Sequence, residues 1–288
     1  MFWMPYILWH KLFTNAIFTR CYAKFRRFSI MPNNWGDDIN KYFFEYVTGR
    51  KVIPVDIDFP SGRYIMIGSI LSSFHLNNAV IYGTGLMTAT SPLRGVPKRI
   101  ISVRGPLTRQ ALLENGIDCP EHYGDPALLL SLFVKPSQHK NNAVSIIPNM
   151  VTFRRYSPVI EELVTKHGCR LINMTSYENW NDIIDAITSS EFVISESLHG
   201  LIVAETYGIP SVWVEFINHD DYNNDWSFKF RDFYESIGKH DMISIKLYDG
   251  YDFSELLKAR YKWRPGKIDY EHLLDNFPFT ITKSPQKP

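Results

Sequence analysis

The sequence of 288 residues has few cysteines, almost no net charge and no long apolar run. Its three cysteines, Cys21, Cys119 and Cys169, are odd in number and widely spaced, which excludes a disulfide framework and a C-x-x-C metal site. We therefore expect a reducing, cytoplasmic location. A formal net charge of +1 excludes the strong basic excess of an extended nucleic-acid surface, so we expect no nucleic acid among its partners. The uncharged apolar run at 1–9 is far shorter than the roughly 20 residues that span a bilayer.

Three common nucleotide and metal motifs are also missing. The sequence contains no G-x-x-x-x-G-K-[ST], no G-x-G-x-x-G and no H-E-x-x-H, which excludes the simplest nucleotide-binding and metalloprotease functions. Asp56 and Asp58 form a D-x-D pair of the kind found in metal-dependent sugar transferases, but the nearby Pro54, Pro60 and Gly62 favour a plain turn. The sequence therefore predicts no metal site.

Charge is unevenly distributed along the chain. The first 36 residues hold five basic residues and no acidic one, which leaves 26 basic against 30 acidic residues in the rest. On a helical wheel, one face of this aromatic-rich segment is apolar. Two interpretations stay open: residues 1–27 lie on anionic lipid, or the helix packs on the protein's own core with its basic edge in water. The basic residues are Lys11, Arg20, Lys24, Arg26 and Arg27, and the apolar face comprises Trp9, Leu12, Phe13, Ala16 and Ile17.

Short apolar runs alternate with helical patterns along most of the chain. This alternation is typical of parallel β-α-β units with right-handed crossovers, and a fully apolar run such as 212–214 suits a sheet covered on both faces. Pro106 opens one of the helices and Gly116 closes it. The predicted strands cover 64–68, 79–83, 99–103, 143–147, 170–173, 192–195 and 211–215. The other predicted helices cover 41–47, 158–167, 179–189 and 198–207.

A polar, proline-containing stretch at 135–142 separates two such series of strands and helices. The sequence therefore predicts an α/β fold with two Rossmann-like domains that face a cleft. The first domain covers 1–135 and the second covers 143–245. The tail, 246–288, holds two short helical patterns and is expected to pack back on the first domain.

The strongest local motif is the segment from Ser195 to Gly200, where a strand ends and an apolar helix begins. Ligands bind at such strand ends, and the helix N-terminus attracts phosphates and carboxylates. Gly200 would let a ligand approach the backbone, and His199 could serve as a general acid or base if an anion or Glu196 offsets the helix dipole. Alternatively, Ser195 or Ser197 caps the helix and His199 only fills a step on the surface.

A second motif, Asn34-Trp35-Gly36-Asp37-Asp38, is interpreted as a loop that enters the helix at 41–47. The helix dipole alone explains two carboxylates in this position. The same carboxylates also provide an acceptor pair for a sugar hydroxyl. Both interpretations of Asp37 and Asp38 stay open.

Three further segments carry candidate groups. Arg104 follows a predicted strand and precedes a helix, which suits bidentate contact with a phosphate or carboxylate. Asp125 stands at a similar strand-to-helix junction, where capping of the helix is the simpler explanation. The segment 226–238 alternates aromatic residues with Lys229 and Arg231; its rings either stack on sugars or belong to the core.

Together, six of these segments resemble the polysaccharide pyruvyl transferase family, in order and spacing, over roughly residues 28–238. Each segment alone is weak, but six in the same order are a specific signal. The form of 196–200 is most similar to the bacterial exopolysaccharide ketal-pyruvate transferases. The six segments are 34–38 (NWGDD), 82–85 (YGTG), 103–106 (VRGP), 124–127 (GDPA), 195–200 (SESLHG) and 229–232 (KFRD).

The resemblance implies a two-domain fold of the GT-B glycosyltransferase kind, with the acceptor on the first domain and the donor on the second. It implies transfer of the enolpyruvyl group of phosphoenolpyruvate to two sugar hydroxyls, which forms a pyruvate ketal, releases phosphate and needs no further cofactor. The implied acceptor is a glycan, commonly a lipid-linked repeat unit at the inner membrane face. The enzyme would then be cytoplasmic, with peripheral membrane contact through 1–27.

Two positions depart from the family pattern. Many members carry Arg where this chain has Ser197, and many carry His where it has Asn149. The resemblance then implies that donor binding depends on Arg104, the helix N-terminus, and Arg154 or Arg155. The full set of implied substrate-binding residues is Arg104, Ser195, Ser197, Gly200, Asn34, Asp125, Gly83, Arg154, Arg155 and Lys229.

The expected chemistry begins with a proton, because the methylene carbon of an enolpyruvyl group must be protonated before the adjacent carbon becomes electrophilic. We expect His199 to give that proton, and Asp37, Asp38 or Glu196 to accept a proton from the attacking hydroxyl. Two other functions stay open: a glycosyltransferase that uses a nucleotide-sugar in the same cleft, and a non-catalytic scaffold of the same pathway.

Overall fold

The structure is a computed structural model that describes residues 3–21, 34–55, 63–141, 143–155, 157–216, 226–248 and 250–286. The D-x-D pair, Lys24, Arg26 and Arg27 lie outside these ranges. The strands are β1 Ile17–Thr19, β2 Val52–Pro54, β3 Arg63–Ile65, β4 Ala79–Tyr82, β5 Arg99–Ser102, β6 Val144–Ile147, β7 Arg170–Leu171, β8 Phe192–Ser195, β9 Ser211–Phe216 and β10 Ile245–Leu247. The helices are α1 Trp3–Phe13, α2 Trp35–Thr48, α3 Pro106–Glu114, a 3₁₀ helix Pro126–Leu129, α4 Leu130–Phe133, α5 Met150–Arg155, α6 Ser157–His167, α7 Asn181–Thr188, α8 Leu198–Thr206, α9 Ser227–Ser236, α10 Phe253–Lys262 and α11 Tyr270–Asp275.

The strands form two parallel sheets of five strands each, in the orders β2-β1-β3-β4-β5 and β10-β9-β8-β6-β7. When the strands of each sheet are counted along the chain, both sheets have the same order, 2-1-3-4-5, which is typical of doubly wound folds. The α/β class is therefore confirmed, and the sheets are compatible with two Rossmann-like domains. We call the two sheets with their covering helices lobe 1 and lobe 2. The GT-B-like arrangement stays a prediction.

The N-terminal segment differs from the predicted helical face. Helix α1 ends at Phe13, because the hydroxyl of Thr14 donates to the carbonyl of His10 (2.8 Å) and accepts from the amide of Ala16 (3.2 Å). Ile17 therefore lies in β1, where it pairs with Val52, and not on a helix. Arg20 is not on the helix either: it is buried, and its guanidinium donates to the carbonyl of His75 (3.0 Å).

Helix α2 begins six residues before the predicted start, so the Asn-Trp-Gly-Asp-Asp motif forms its first turn and not a preceding loop. Asn34 caps the helix, since its side chain accepts from the amide of Gly36 (3.3 Å). Trp35 is fully buried against lobe 2: its amide donates to the carbonyl of Met174 (2.9 Å) and its indole to that of Trp180 (2.5 Å). The tertiary contacts of Trp35 thus hold the first turn in place.

The end of the chain returns to lobe 1. The hydroxyl of Tyr82, at the end of β4, donates to the carbonyl of Leu273 (2.7 Å), and the ring of Phe277 stacks on Phe44 of α2 (5.6 Å between centroids). The amide of Thr282 donates to the carbonyl of Val47 (2.9 Å). Residues 270–282 therefore pack on lobe 1, whereas β10 and α10, in the first part of the predicted tail 246–288, pack on β9 of lobe 2.

Candidate active site

The two strongest motifs meet where α2 of lobe 1 and α8 of lobe 2 begin. The imidazole of His199 rests on Gly36, so closely that a methyl group on Gly36 would lie 2.2 Å from Nδ1. The rings of His199 and Trp35 pack edge to face, 6.5 Å apart. Both helices start within this contact, so the positive ends of two helix dipoles converge on one point. Such a point favours an anion.

The imidazole of His199 has an unsatisfied nitrogen. Its Nε2 is buried and finds no hydrogen-bond partner among the residues that the structure describes. Burial, followed by the positive charges of Lys229 and Arg104, lowers the pKa of His199 to about 3. The imidazole is therefore neutral at pH 7 in the free protein. A buried polar atom without a partner is uncommon in native proteins, which marks Nε2 as a position for a ligand atom.

Lys229, on α9, brings a positive charge close to His199. Its ammonium lies 5.4 Å from the ring centre of Trp226 and 5.1 Å from that of Phe230, a cation–π arrangement. Burial lowers the pKa of Lys229 to about 8, and Arg104 lowers it too, whereas Glu196 and Asp37 raise it. Lys229 therefore stays mostly charged at pH 7.

Arg104 is completely enclosed by protein groups. Its Nε donates to Oδ2 of Asp232 (2.9 Å), Nη2 to the carbonyl of Leu86 (2.6 Å), and Nη1 to the hydroxyl of Ser69. Asp232 also accepts from the amide (2.8 Å) and hydroxyl (2.7 Å) of Thr108, at the start of α3. The sequence predicted a bidentate anion contact for Arg104; in the structure its carboxylate partner is Asp232. The ion pair fastens α9, which follows the lobe 2 strand β9, to lobe 1.

Asp232 is a residue that sequence reasoning did not single out, although it stands in the 229–232 segment. The available signal was its spacing: three residues after Lys229 place both side chains on one side of a helix.

The three candidate carboxylates have different surroundings. Asp37 accepts from the side-chain amide of Asn34 (2.7 Å), and burial together with Asp38 raises its pKa to about 6. Asp38 is buried and accepts from the hydroxyl of Tyr177 in lobe 2. Glu196 is buried and accepts from the amides of Asn149 (3.3 Å) and Phe216 (3.2 Å); burial raises its pKa to about 7. Asp38 and Glu196 are thus buried against lobe 2 groups, whereas Asp37 is only partly buried.

The serines and glycine of the second motif hold α8 against its strand. Ser195 is buried and its hydroxyl donates to the carbonyl of Ser197 (2.9 Å). A methyl group on Gly200 would lie 2.6 Å from Oγ of Ser195. The space left by the missing side chain of Gly200 is therefore filled by the Ser195 hydroxyl, and not by a ligand as the sequence predicted. Both residues that depart from the family pattern cap helices. The side chain of Ser197 caps α8 by accepting from the amide of Gly200. The side chain of Asn149 accepts from the amides of Val151 (2.8 Å) and Thr152 (2.9 Å) at the start of α5.

Gly83 follows β4 and packs against the start of the 3₁₀ helix that Asp125 caps. Asp125 is buried, caps the 3₁₀ helix through the amide of Ala127 (2.9 Å), and has a pKa raised to about 6 by burial. Gly83 has φ +77°, and a methyl group there would lie 2.3 Å from Cδ of Pro126. Arg154 and Arg155 are in α5, after the carboxyl end of β6, and their side chains lie outside the described residues.

The described ranges contain neither a metal-binding cluster nor a membrane-spanning helix. No three His, Cys, Asp or Glu side chains in them come together as a metal site would require. No helix in them has both the length and the apolar character needed to cross a membrane.

We expect Gly36→Ala to displace His199, because the new methyl group takes the space of the imidazole. Turnover should fall at least tenfold, while unfolding by denaturant should change little, since alanine favours a helix over glycine. The comparison is Gly36→Ala in a His199→Ala background. If the added methyl group acts through His199, it lowers activity no further there; an equal loss in both backgrounds would contradict the assignment.

Comparison with known proteins gives a consistent family. A sequence profile described as polysaccharide pyruvyl transferase matches residues 11–219. Succinoglycan biosynthesis protein ExoV of Rhizobium meliloti is 26% identical over 213 residues, 71% of this chain and 62% of that protein. An uncharacterized protein of Acanthamoeba polyphaga mimivirus is 30% identical over 191 residues, 64% of each chain. The match thus spans less than two thirds of either relative.

Proposed function

The chain belongs to the polysaccharide pyruvyl transferase family, and we propose that it transfers the enolpyruvyl group of phosphoenolpyruvate to a sugar diol during synthesis of a surface polysaccharide. The product is a pyruvate ketal, and phosphate is released. The observation that carries this proposal is the unpartnered Nε2 of His199 at the meeting point of two helix N-termini. The name of the Rhizobium relative, a succinoglycan biosynthesis protein, supports the polysaccharide as acceptor.

The charges of the site suit an anionic donor. Phosphoenolpyruvate carries a phosphate and a carboxylate, and the N-termini of α2 and α8 offer the positive ends of their helix dipoles to both. Lys229 adds a full positive charge on the same side. Arg104, which is buried and paired with Asp232, contributes positive potential without direct contact. We therefore assign donor binding to Lys229 and the two helix N-termini.

Donor binding would also change the protonation of His199. In the free site, two nearby cations and burial keep the imidazole neutral. The negative charge of a bound phosphate opposes these cations and attracts a proton to the imidazole, so the pKa of His199 rises on donor binding and the proton-carrying form is favoured. The imidazolium then gives its proton to the methylene carbon, and the adjacent carbon becomes electrophilic.

The acceptor reaction follows in two additions. The first sugar hydroxyl bonds to the electrophilic carbon, and its proton goes to the carboxylate of Asp37. The carbon–oxygen bond to phosphate then breaks, and the second hydroxyl bonds to the same carbon and closes the ketal. The proton of the second hydroxyl leaves with the released phosphate. Asp37 suits this part because Asn34 is its one hydrogen-bond partner among the described side chains.

Binding and product tests separate the three functions. Phosphoenolpyruvate should raise the melting temperature of the full chain, whereas nucleotide-sugars should not. Mass spectrometry of the surface glycan should show the added pyruvate only when the protein is present. Stabilisation by nucleotide-sugars alone would favour a glycosyltransferase. A glycan that keeps its pyruvate with His199→Ala would favour a scaffold.

We expect Lys229→Met to weaken phosphoenolpyruvate binding about 10- to 100-fold, because a charge-assisted hydrogen bond contributes about 1.5–3 kcal/mol. The affinity of the unaltered protein should fall as pH rises through about 8, where the free site loses the ammonium proton. In Lys229→Met this pH dependence should disappear. Isothermal titration calorimetry measures both effects. The control is Lys41→Met, which removes an ammonium that pairs with Glu45 on α2 (2.7 Å); an equal loss there would refute a specific role for Lys229.

A further inference from the structure

Helix α1 carries an apolar face that the rest of the described protein does not cover. The side chains of Leu8, Trp9, Leu12 and Phe13 are between 41% and 71% exposed. Their spacing along the helix places them on one side, in two successive turns. We call these four residues the α1 face. A cluster of large exposed apolar side chains of this kind marks an interaction surface.

The opposite side of α1 is anchored, so the helix does not need the α1 face for folding. Ile7 is buried in a small core with Phe18 of β1 and with Ile53 and Val55 at β2. His10 is also buried, and its Nδ1 lies 3.1 Å from the hydroxyl of Thr14. Helix α1 is thus held rigidly on lobe 1 with four apolar residues directed away from it.

The positive charge around the α1 face favours an anionic partner. The chain has no acidic residue before Asp37, and Lys11 lies on α1 itself. Lys51 is exposed close to the same helix, 5.9 Å from the ring centre of Tyr6. An apolar face with tryptophan and phenylalanine, flanked by lysines, suits the interface of an anionic bilayer. A second copy of the chain would instead bring two basic, acid-free segments together.

We propose that the α1 face docks on anionic membrane surfaces, with Trp9, Leu12 and Phe13 inserted among the headgroups and the lysines on the lipid charges. The surface comprises α1 and the neighbouring Lys51, and it does not depend on pyruvyl transfer. If both proposals hold, lobe 1 holds the transferase at the bilayer surface.

The test is co-sedimentation of the full chain with vesicles of equal parts phosphatidylglycerol and phosphatidylcholine, and with phosphatidylcholine alone. The unaltered protein should bind the anionic vesicles, more weakly at higher salt. Leu12→Glu/Phe13→Glu should reduce that binding at least tenfold. The control is Ile243→Glu/Tyr261→Glu, which replaces two even more exposed apolar residues elsewhere (81% and 75%, against 69% and 71%) and should bind like the unaltered protein.

Two further measurements decide the outcome. Circular dichroism and the stabilisation by phosphoenolpyruvate should be the same in both double variants, which separates lipid binding from folding and from the donor site. Absence of binding to anionic vesicles would overturn the proposal. So would a dimer that Leu12→Glu/Phe13→Glu converts to monomers in sedimentation velocity without any change in vesicle binding, since the α1 face would then bind a second copy.

Discussion

Turnover of the His199→Ala protein is expected to be about 10²- to 10⁴-fold lower than that of the unaltered protein, the usual contribution of a positioned acid–base group. The loss should appear in kcat, because in our proposal the proton moves only after the donor has bound. The measurement is phosphate release from phosphoenolpyruvate with the pyruvylated glycan quantified by mass spectrometry.

The same substitution should leave the free energy of unfolding nearly unchanged. Removal of an imidazole whose Nε2 has no partner in the described structure leaves no other buried group unsatisfied. The matched control is His139→Ala, an exposed histidine in the segment between the lobes. Near-normal turnover of His199→Ala, or an equal loss in His139→Ala, would exclude His199 as the proton donor.

The bounds of strands and helices could be predicted from the sequence where neighbouring residues determine them. Strand β8 has the predicted bounds, 192–195, because its apolar run ends at a polar motif that starts a helix. Helix α3 begins at Pro106, which supplies a fixed φ and lacks an amide that the helix would leave unpaired. Strand β1, in contrast, has three residues, and its pairing with 52–54 depends on contacts far along the chain.

The candidate site divides in the same way. The motifs that contain Gly36 and His199 could be recognised separately, since each has local helix-start signals. Their contact could not be predicted, because 163 residues separate them and the contact depends on how the lobes pack. Arg104 shows the same limit. Its position after a strand predicts contact with an external anion, but in the fold α9 brings Asp232 into an ion pair with its guanidinium.

The Arg104–Asp232 pair gives the largest expected effect on stability. Both side chains are completely buried, with a 2.9 Å distance between Nη2 and Oδ2. Asp232→Ala leaves the guanidinium buried without its counter-ion, which typically destabilises a protein by about 3–5 kcal/mol. Chemical denaturation, monitored by circular dichroism, measures this loss.

A second variant distinguishes a broken ion pair from a disturbed helix. Arg104→Met/Asp232→Leu removes both charges and keeps much of the volume, and replacement of a buried pair by apolar residues is often tolerated. The double variant should therefore be more stable than Asp232→Ala alone, although it removes more native groups. It should still bind phosphoenolpyruvate weakly, because the positive potential of Arg104 is lost and α9, which carries Lys229, no longer has its polar link to Thr108. If the free energy of unfolding of Asp232→Ala lies within about 1 kcal/mol of that of the unaltered protein, the pair does not hold α9 on lobe 1.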